Sequence, residues 1–140
     1  MANPKYKLID IHAIRKENGT LTMIQGKDGV KNSLSFDIKR VFIISDMRGS
    51  DVRGGHTHHK TVQVLMPISG GCTVTMDDGT DKEVIQLFDP EKGLLIPPYV
   101  WHTMQDFAEG TVLIDFADTI YDEKDYIRNY DDFISIIKRK

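Results

Sequence analysis

The sequence predicts an all-β barrel followed by one C-terminal helix, and three observations predict it. Short segments rich in β-branched residues recur along most of the chain, Gly, Asp, Asn or Pro separates them, and only the last stretch carries a helical period. Strands are expected over residues 6–11, 20–25, 40–45, 61–68, 72–76, 83–87, 94–97, 101–107 and 111–116. Their even spacing favours closure of the sheet on itself. Between the fifth and sixth, Asp77-Asp78-Gly79-Thr80 carries the Asp-Gly pair that tolerates positive φ, which predicts a hairpin turn. In the tail, Tyr126, Tyr130, Phe133 and Ile137 recur every three or four residues while Arg128, Asp131, Ser135 and Lys138 take other faces. A helix over about 123–138 should therefore pack one stripe onto a barrel over about 6–117. Without an internal repeat, low-complexity tract or Pro/Gly linker, residues 1–140 read as a single domain.

Bulk properties narrow the function. With 40% apolar and 28% charged residues and a net charge of -3, the chain can bury a core and offers no polycationic surface, so nucleic acid is a poor partner. The single cysteine, Cys72, cannot form an internal disulfide, and Met1-Ala2-Asn3-Pro4-Lys5 leads into a polar strand without the apolar segment of a signal peptide. Both point to the cytoplasm. Asp46, Asp77, Asp89 and Asp115 interrupt every candidate for the roughly 20-residue apolar run that a membrane span needs, so no membrane insertion is expected.

Three of the five histidines lie in Arg53-Gly54-Gly55-His56-Thr57-His58-His59-Lys60, and a fourth, His102, follows Pro97-Pro98-Tyr99-Val100-Trp101. If the run from His56 is extended, His56 and His58 share one face and His59 points the other way. A solvated His-rich loop at a strand entrance is the competing reading, and for His59 it is the better one.

The spacing of His56-x-His58, Gln63, Gly70, Gly93, Pro97 and His102 resembles the two cupin motifs, in which two histidines, a glutamate and a last histidine usually hold a divalent metal. Gln63 stands where that family has its glutamate, Tyr99 replaces a glycine, and three residues separate Gly93 from Pro97 where the motif has five. The only anionic ligand is thus lost. Longer strings resemble a smaller family, the nucleotide-linked 4-keto-6-deoxyhexose 3,4-ketoisomerases. They are Phe36-Asp37-Ile38-Lys39-Arg40-Val41, Arg53-Gly54-Gly55-His56-Thr57-His58, Gln63-Val64-Leu65, Gly93-Leu94-Leu95-Ile96-Pro97-Pro98, Val100-Trp101-His102, and the run from Tyr121 to Asp131. The resemblance implies a jelly-roll (double-stranded β-helix) cupin without metal or other cofactor, dimeric through exchanged N-terminal strands. It further implies action on a dTDP-linked keto-deoxysugar in amino-deoxysugar biosynthesis for surface glycans. At Ile43 and Ile120 a tyrosine frequent in that family is missing, which bears on substrate and stereochemistry.

Moving a carbonyl from carbon 4 to carbon 3 needs a group that alternates between base and acid, and histidine titrates in that range. His58 is read as the shuttling base and His56 as its partner. Gln63, donor and acceptor at once, could hold an imidazole tautomer or a sugar hydroxyl. His102 is a further substrate-binding candidate or a satisfied barrel histidine. Arg53 and Arg40 are the candidates for the diphosphate, against surface ion pairs as the plain alternative. Arg128 is read as structural, Tyr126, Tyr130 and Phe133 as core, and Trp101 is left open. Competing functions are a keto-sugar epimerase, a non-catalytic nucleotide-sugar-binding cupin and, disfavoured by Gln63, a metal-dependent oxygenase.

Overall fold

The structure, a computed structural model, describes residues 7–29 and 33–140. Tyr6, where the first strand was expected to begin, and the leading segment 1–5 lie outside the described residues. The strands are β1 (Lys7–Asp10), β2 (His12–Lys16), β3 (Gly19–Met23), β4 (Arg40–Ile44), β5 (Arg53–His58), β6 (Gln63–Ser69), β7 (Cys72–Asp77), β8 (Lys82–Leu87), β9 (Lys92–Ile96), β10 (Trp101–Gln105), β11 (Val112–Ala117) and β12 (Tyr126–Ile127), and α1 is Tyr130–Lys138. Two five-stranded antiparallel sheets, β1-β9-β6-β11-β4 and β12-β5-β10-β7-β8, form the jelly roll, and β2-β3 is a separate hairpin.

Alternation along the strands decides what faces the interior. In β6 and β11, Leu65 and Leu113 join a core with Val74, Met76, Leu94 and Ile96, while Val64, Met66 and Phe116 join a second cluster with Ile11, Leu34 and Phe36 on the other face of the same sheet. Both faces of that sheet are covered. The predicted hairpin forms between β7 and β8: Gly79 adopts φ 95, and Asp77 Oδ1 accepts its N–H at 2.7 Å.

The tail departs from expectation. The helix begins at Tyr130, not near 123, because Asn129 caps it and accepts the Asp132 N–H at 2.9 Å. Before it, Glu123–Asp125 is a single 3-10 turn and β12 is extended. Phe133 is fully buried against Trp101, ring centroids 5.8 Å apart, so Trp101 anchors the helix. Tyr130 is not core: it is 38% exposed and donates its hydroxyl to Asp77.

Candidate active site

Two consecutive glycines set the site. Gly54 and Gly55 have φ 83 and 75, a region that side chains disfavour, and a Cβ on Gly54 would come within 2.8 Å of the His102 carbonyl. β5 can thereby press against β10, with His56 opposite His102 and His58 opposite Tyr126 of β12. The His56 ring centroid lies 5.2 Å from His58 and 4.8 Å from His102, and His58 lies 4.4 Å from Tyr126. Asp125 accepts the Lys60 N–H at 2.8 Å and the Thr61 hydroxyl, which ties the loop after His58 to the segment entering β12.

A cavity of about 250 Å³ opens between the sheets. Phe42, Leu65, Ile96 and Met104 supply its apolar wall, His56, Gln63, His102, Asp115 and Tyr126 its polar one, and the exposed Arg53 and Arg128 its rim. His58, 3% exposed, packs against the His56 and Tyr126 rings of that wall, and its Nε2 has no protein partner; nor does Nδ1 of His56. His102 donates Nδ1–H to the Val100 carbonyl at 3.0 Å. The amide of Gln63 lies between Asp115 and two rings, one end 2.9 and 3.2 Å from the carboxyl oxygens and the other 3.5 Å from His58 Nδ1 and 3.4 Å from His102 Nε2.

Burial dominates the electrostatics. It holds His56 down to about 3, helped by His102, His58 and Arg128, and His58 down to about 4, where His102 adds to the lowering and Asp125 opposes it. His102 is lowered by burial as well. These rings are neutral at pH 7. Asp115, also fully enclosed, is pushed well above the usual carboxylate range by burial, against the pull of Arg40.

The donor set does not fit the divalent metal that cupin motifs usually hold. The motif's glutamate position is a neutral amide already bonded to Asp115, and among the described residues no three His, Cys, Asp or Glu side chains form a group that could hold an ion.

Of the residues singled out from sequence, His56, Gln63, His102 and Arg53 line one cavity with His58 behind them, while His59 turns outward and its Nδ1 meets the Tyr99 hydroxyl at 3.2 Å. Arg40 is not on the lining: its Nη1 donates to the Tyr126 hydroxyl at 3.4 Å, and its guanidinium lies 5.6 Å from the Phe42 ring centroid. Two readings are corrected. Tyr126 is a cavity residue, because β12 and not the helix carries it, and Arg128 is a rim residue, bonded to Glu123 at 2.7 and 3.0 Å with its guanidinium 4.3 Å from the Tyr126 ring centroid. Asp115 was missed altogether. Its signal was a carboxylate at an inward position of Val112-Leu113-Ile114-Asp115-Phe116, two residues from the core Leu113.

Comparison with known proteins places this geometry. The family FdtA: WxcM-like, C-terminal matches residues 4–138. The TDP-4-oxo-6-deoxy-alpha-D-glucose-3,4-oxoisomerase of Aneurinibacillus thermoaerophilus is 40% identical over 95% of this chain and 93% of its own. A histidine-to-asparagine variant of the 3,4-ketoisomerase QdtA from Thermoanaerobacterium thermosaccharolyticum, solved with TDP-4-keto-6-deoxyglucose, superposes with a TM-score of 0.92 at 39% identity, covering 99% of this chain and 98% of that one. QdtA with TDP gives 0.91 at 41% identity, covering 96% of each. On the match over residues 4–138 and the 40% identity to a curated relative, this cupin belongs to the FdtA family of WxcM-like, C-terminal domains.

Proposed function

We propose that this chain is a sugar-nucleotide 3,4-ketoisomerase that converts a TDP-linked 4-keto-6-deoxyhexose into its 3-keto isomer by histidine-mediated proton transfer. The observation that carries it is the cavity built from His56, His102 and Gln63 with His58 behind, in a fold shared with relatives that carry this activity. His58 removes the proton at carbon 3, which the adjacent ketone acidifies. The enediolate keeps its charge on oxygen 4 until the proton of the carbon 3 hydroxyl moves there, and carbon 4 then receives the proton held by His58. Oxidation at carbon 3 balances reduction at carbon 4, so the substrate supplies its own redox partner. A neutral His58 is in the form that accepts a proton, and the negative enediolate raises its affinity for that proton as the charge develops. His56, at the wall with a free Nδ1, holds a sugar oxygen, and His102 and Gln63 close the floor.

The cavity is smaller than the roughly 300–1,000 Å³ that encloses a drug-sized ligand, so the sugar ring sits inside and the nucleotide leaves by the rim. Arg53 and Arg128 then meet the diphosphate, and Arg40 acts from behind Tyr126. Arg53→Ala should raise KM about tenfold or more with kcat little changed, because it removes a contact made equally in ground and transition states. Steady-state kinetics with an unchanged KM would move the phosphate site elsewhere.

The protein is further proposed to be a cytoplasmic homodimer joined through its N-terminal strands. In support, the β2-β3 hairpin pairs with no other described strand and exposes Ile14, Leu21 and Met23. No described helix is long and apolar enough to cross a membrane.

Incubation with TDP-4-keto-6-deoxyglucose under exhaustive chelation, followed by a 3-aminotransferase, tests the function. A 3-amino sugar nucleotide is expected. Recovered starting material, or activity regained only with added metal, would contradict the reading.

A further inference from the structure

Tyr126 brings the one hydroxyl to the cavity: among the described residues that line it there is no serine, threonine or second tyrosine. The half-buried ring is well held. Pairing of β12 with β5 sets Tyr126 opposite His58, and its ring centroid lies 4.4 Å from that of His58 and 5.2 Å from that of His56. The Arg128 guanidinium lies 4.3 Å from the same centroid. The phenolic oxygen meets a second cation, because Arg40 donates Nη1–H to it at 3.4 Å, while Nε of Arg40 is buried without a partner. An oxygen that accepts from Arg40 keeps its own proton to donate.

Isomerisation calls for such a donor. As carbon 3 loses its proton, negative charge develops on oxygen 4, and the proton of the carbon 3 hydroxyl must afterwards reach that oxygen. Most polar groups of the lining are unsuited to this. His102 uses its Nδ1–H on the Val100 carbonyl, which leaves Nε2 an acceptor. The Gln63 amide is engaged between Asp115 and the His58 and His102 rings, and Arg53 and Arg128 stand at the rim. His56 can hold an oxygen, but passing a proton on would take its ring through a charged form, and burial holds its pKa down to about 3. A hydroxyl avoids that difficulty, since one oxygen atom can give up its proton and accept another at once.

We propose that the Tyr126 hydroxyl, backed by Arg40, donates to oxygen 4 as the enediolate forms and carries the proton of the carbon 3 hydroxyl across to it. The proposal rests on the ketoisomerase reading. His58 takes the carbon 3 proton, the C–H electron pair becomes the double bond between carbons 3 and 4, and the carbonyl electrons move onto oxygen 4. Tyr126 then gives its proton to oxygen 4 and receives that of oxygen 3, which restores its hydroxyl. The charge now rests on oxygen 3, and its electrons close the new carbonyl as carbon 4 takes the proton held by His58. Nothing is consumed. Oxygens 3 and 4 lie side by side on the planar enediolate, so one hydroxyl reaches both. Arg40 is a positioning residue that acts through Tyr126, since its charge stabilises the phenolic oxygen while a proton is leaving it. A hydroxyl that only satisfied Arg40 would matter to stability and not to rate.

The test is steady-state kinetics of Tyr126→Phe, Arg40→Met and the double variant, with TDP binding measured by calorimetry. Phenylalanine keeps the ring packed against His56, His58 and Arg128 and removes the hydroxyl alone. In Tyr126→Phe, kcat should fall about 10²–10³-fold, the usual effect of losing one oxyanion donor, while KM and the Kd of TDP change little. Arg40→Met should lower kcat about tenfold, as expected for a lost hydrogen bond from a charged group, and should add little further loss in the Tyr126→Phe background. A near-normal kcat in Tyr126→Phe, or a loss confined to KM or to TDP binding, would overturn the proposal. Losses that multiply in the double variant would overturn it as well. A wild type that makes no 3-keto product ends the ketoisomerase reading and this role with it, whereas an active wild type beside a fully active Tyr126→Phe ends this role alone.

Discussion

His58→Asn is expected to lower kcat by at least about 10²–10⁴-fold, the usual worth of general acid–base catalysis, while KM changes little. Asparagine keeps some of the polar contacts of the ring and removes the group that titrates. The effect should fall on kcat because a proton held between carbon 3 and carbon 4 exists only after binding. His56→Asn should be damaging in a different way: that ring lines the cavity, so its loss should also raise KM. His59→Asn is the control, since His59 is exposed and bonded to Tyr99 outside the cavity. Steady-state kinetics of the three variants, with circular dichroism to confirm folding, make the comparison. Near-normal turnover in His58→Asn, or a greater loss in His59→Asn, would end the assignment.

Acid instability of the ligand-free fold is the second large effect. His56, His58 and His102 are all held neutral by burial, with His56 down to about 3 and His58 down to about 4. In the unfolded chain each takes up a proton below about pH 6.5, so the unfolded state binds more protons and gains as pH falls. The stabilisation is therefore present above that value and is lost on the way down to the folded pKa values. Asp115 works the other way: its raised pKa favours the folded state as pH falls towards the unfolded carboxylate value. Three histidines against one carboxyl leave a net loss of stability between pH 7 and pH 5. Urea midpoints at pH 7, 6 and 5 should fall in that order, and less steeply in a His56→Asn/His58→Asn double variant. A flat series in the wild type would mean that the rings are not held neutral. The site therefore costs stability on acidification because the reaction needs a buried, neutral base.

Local chemistry was legible in the sequence, and long-range pairing was not. Asp77 to Thr80 was readable as a turn because the side chain of Asp77 and the backbone freedom of Gly79 suffice to make it. β5 was not among the predicted strands, since Gly54 and Gly55 have no strand preference and the partners that hold the segment, His102 and Tyr126, are distant in sequence. Tyr126 was absorbed into a helical stripe, and Arg128 into another face of the same helix, because Tyr126, Tyr130 and Phe133 happen to keep its period. Asn129 carried the missing information, as a capping residue that starts the helix after them. Gln63 was read from motif spacing as the residue that replaces a metal ligand, but its partner Asp115 was not, because one carboxylate in an apolar run looks like a break until the register turns it inward.

The central claim, proton transfer from carbon 3 to carbon 4, is tested most directly by running the reaction in ordinary water on TDP-4-keto-6-deoxyglucose deuterated at carbon 3 and locating the label by NMR. The account predicts a 3-keto product with deuterium at carbon 4 and none at carbon 5. A 3-keto product whose label has been lost to water, or a 4-keto sugar returned with its deuterium still at carbon 3, would contradict it.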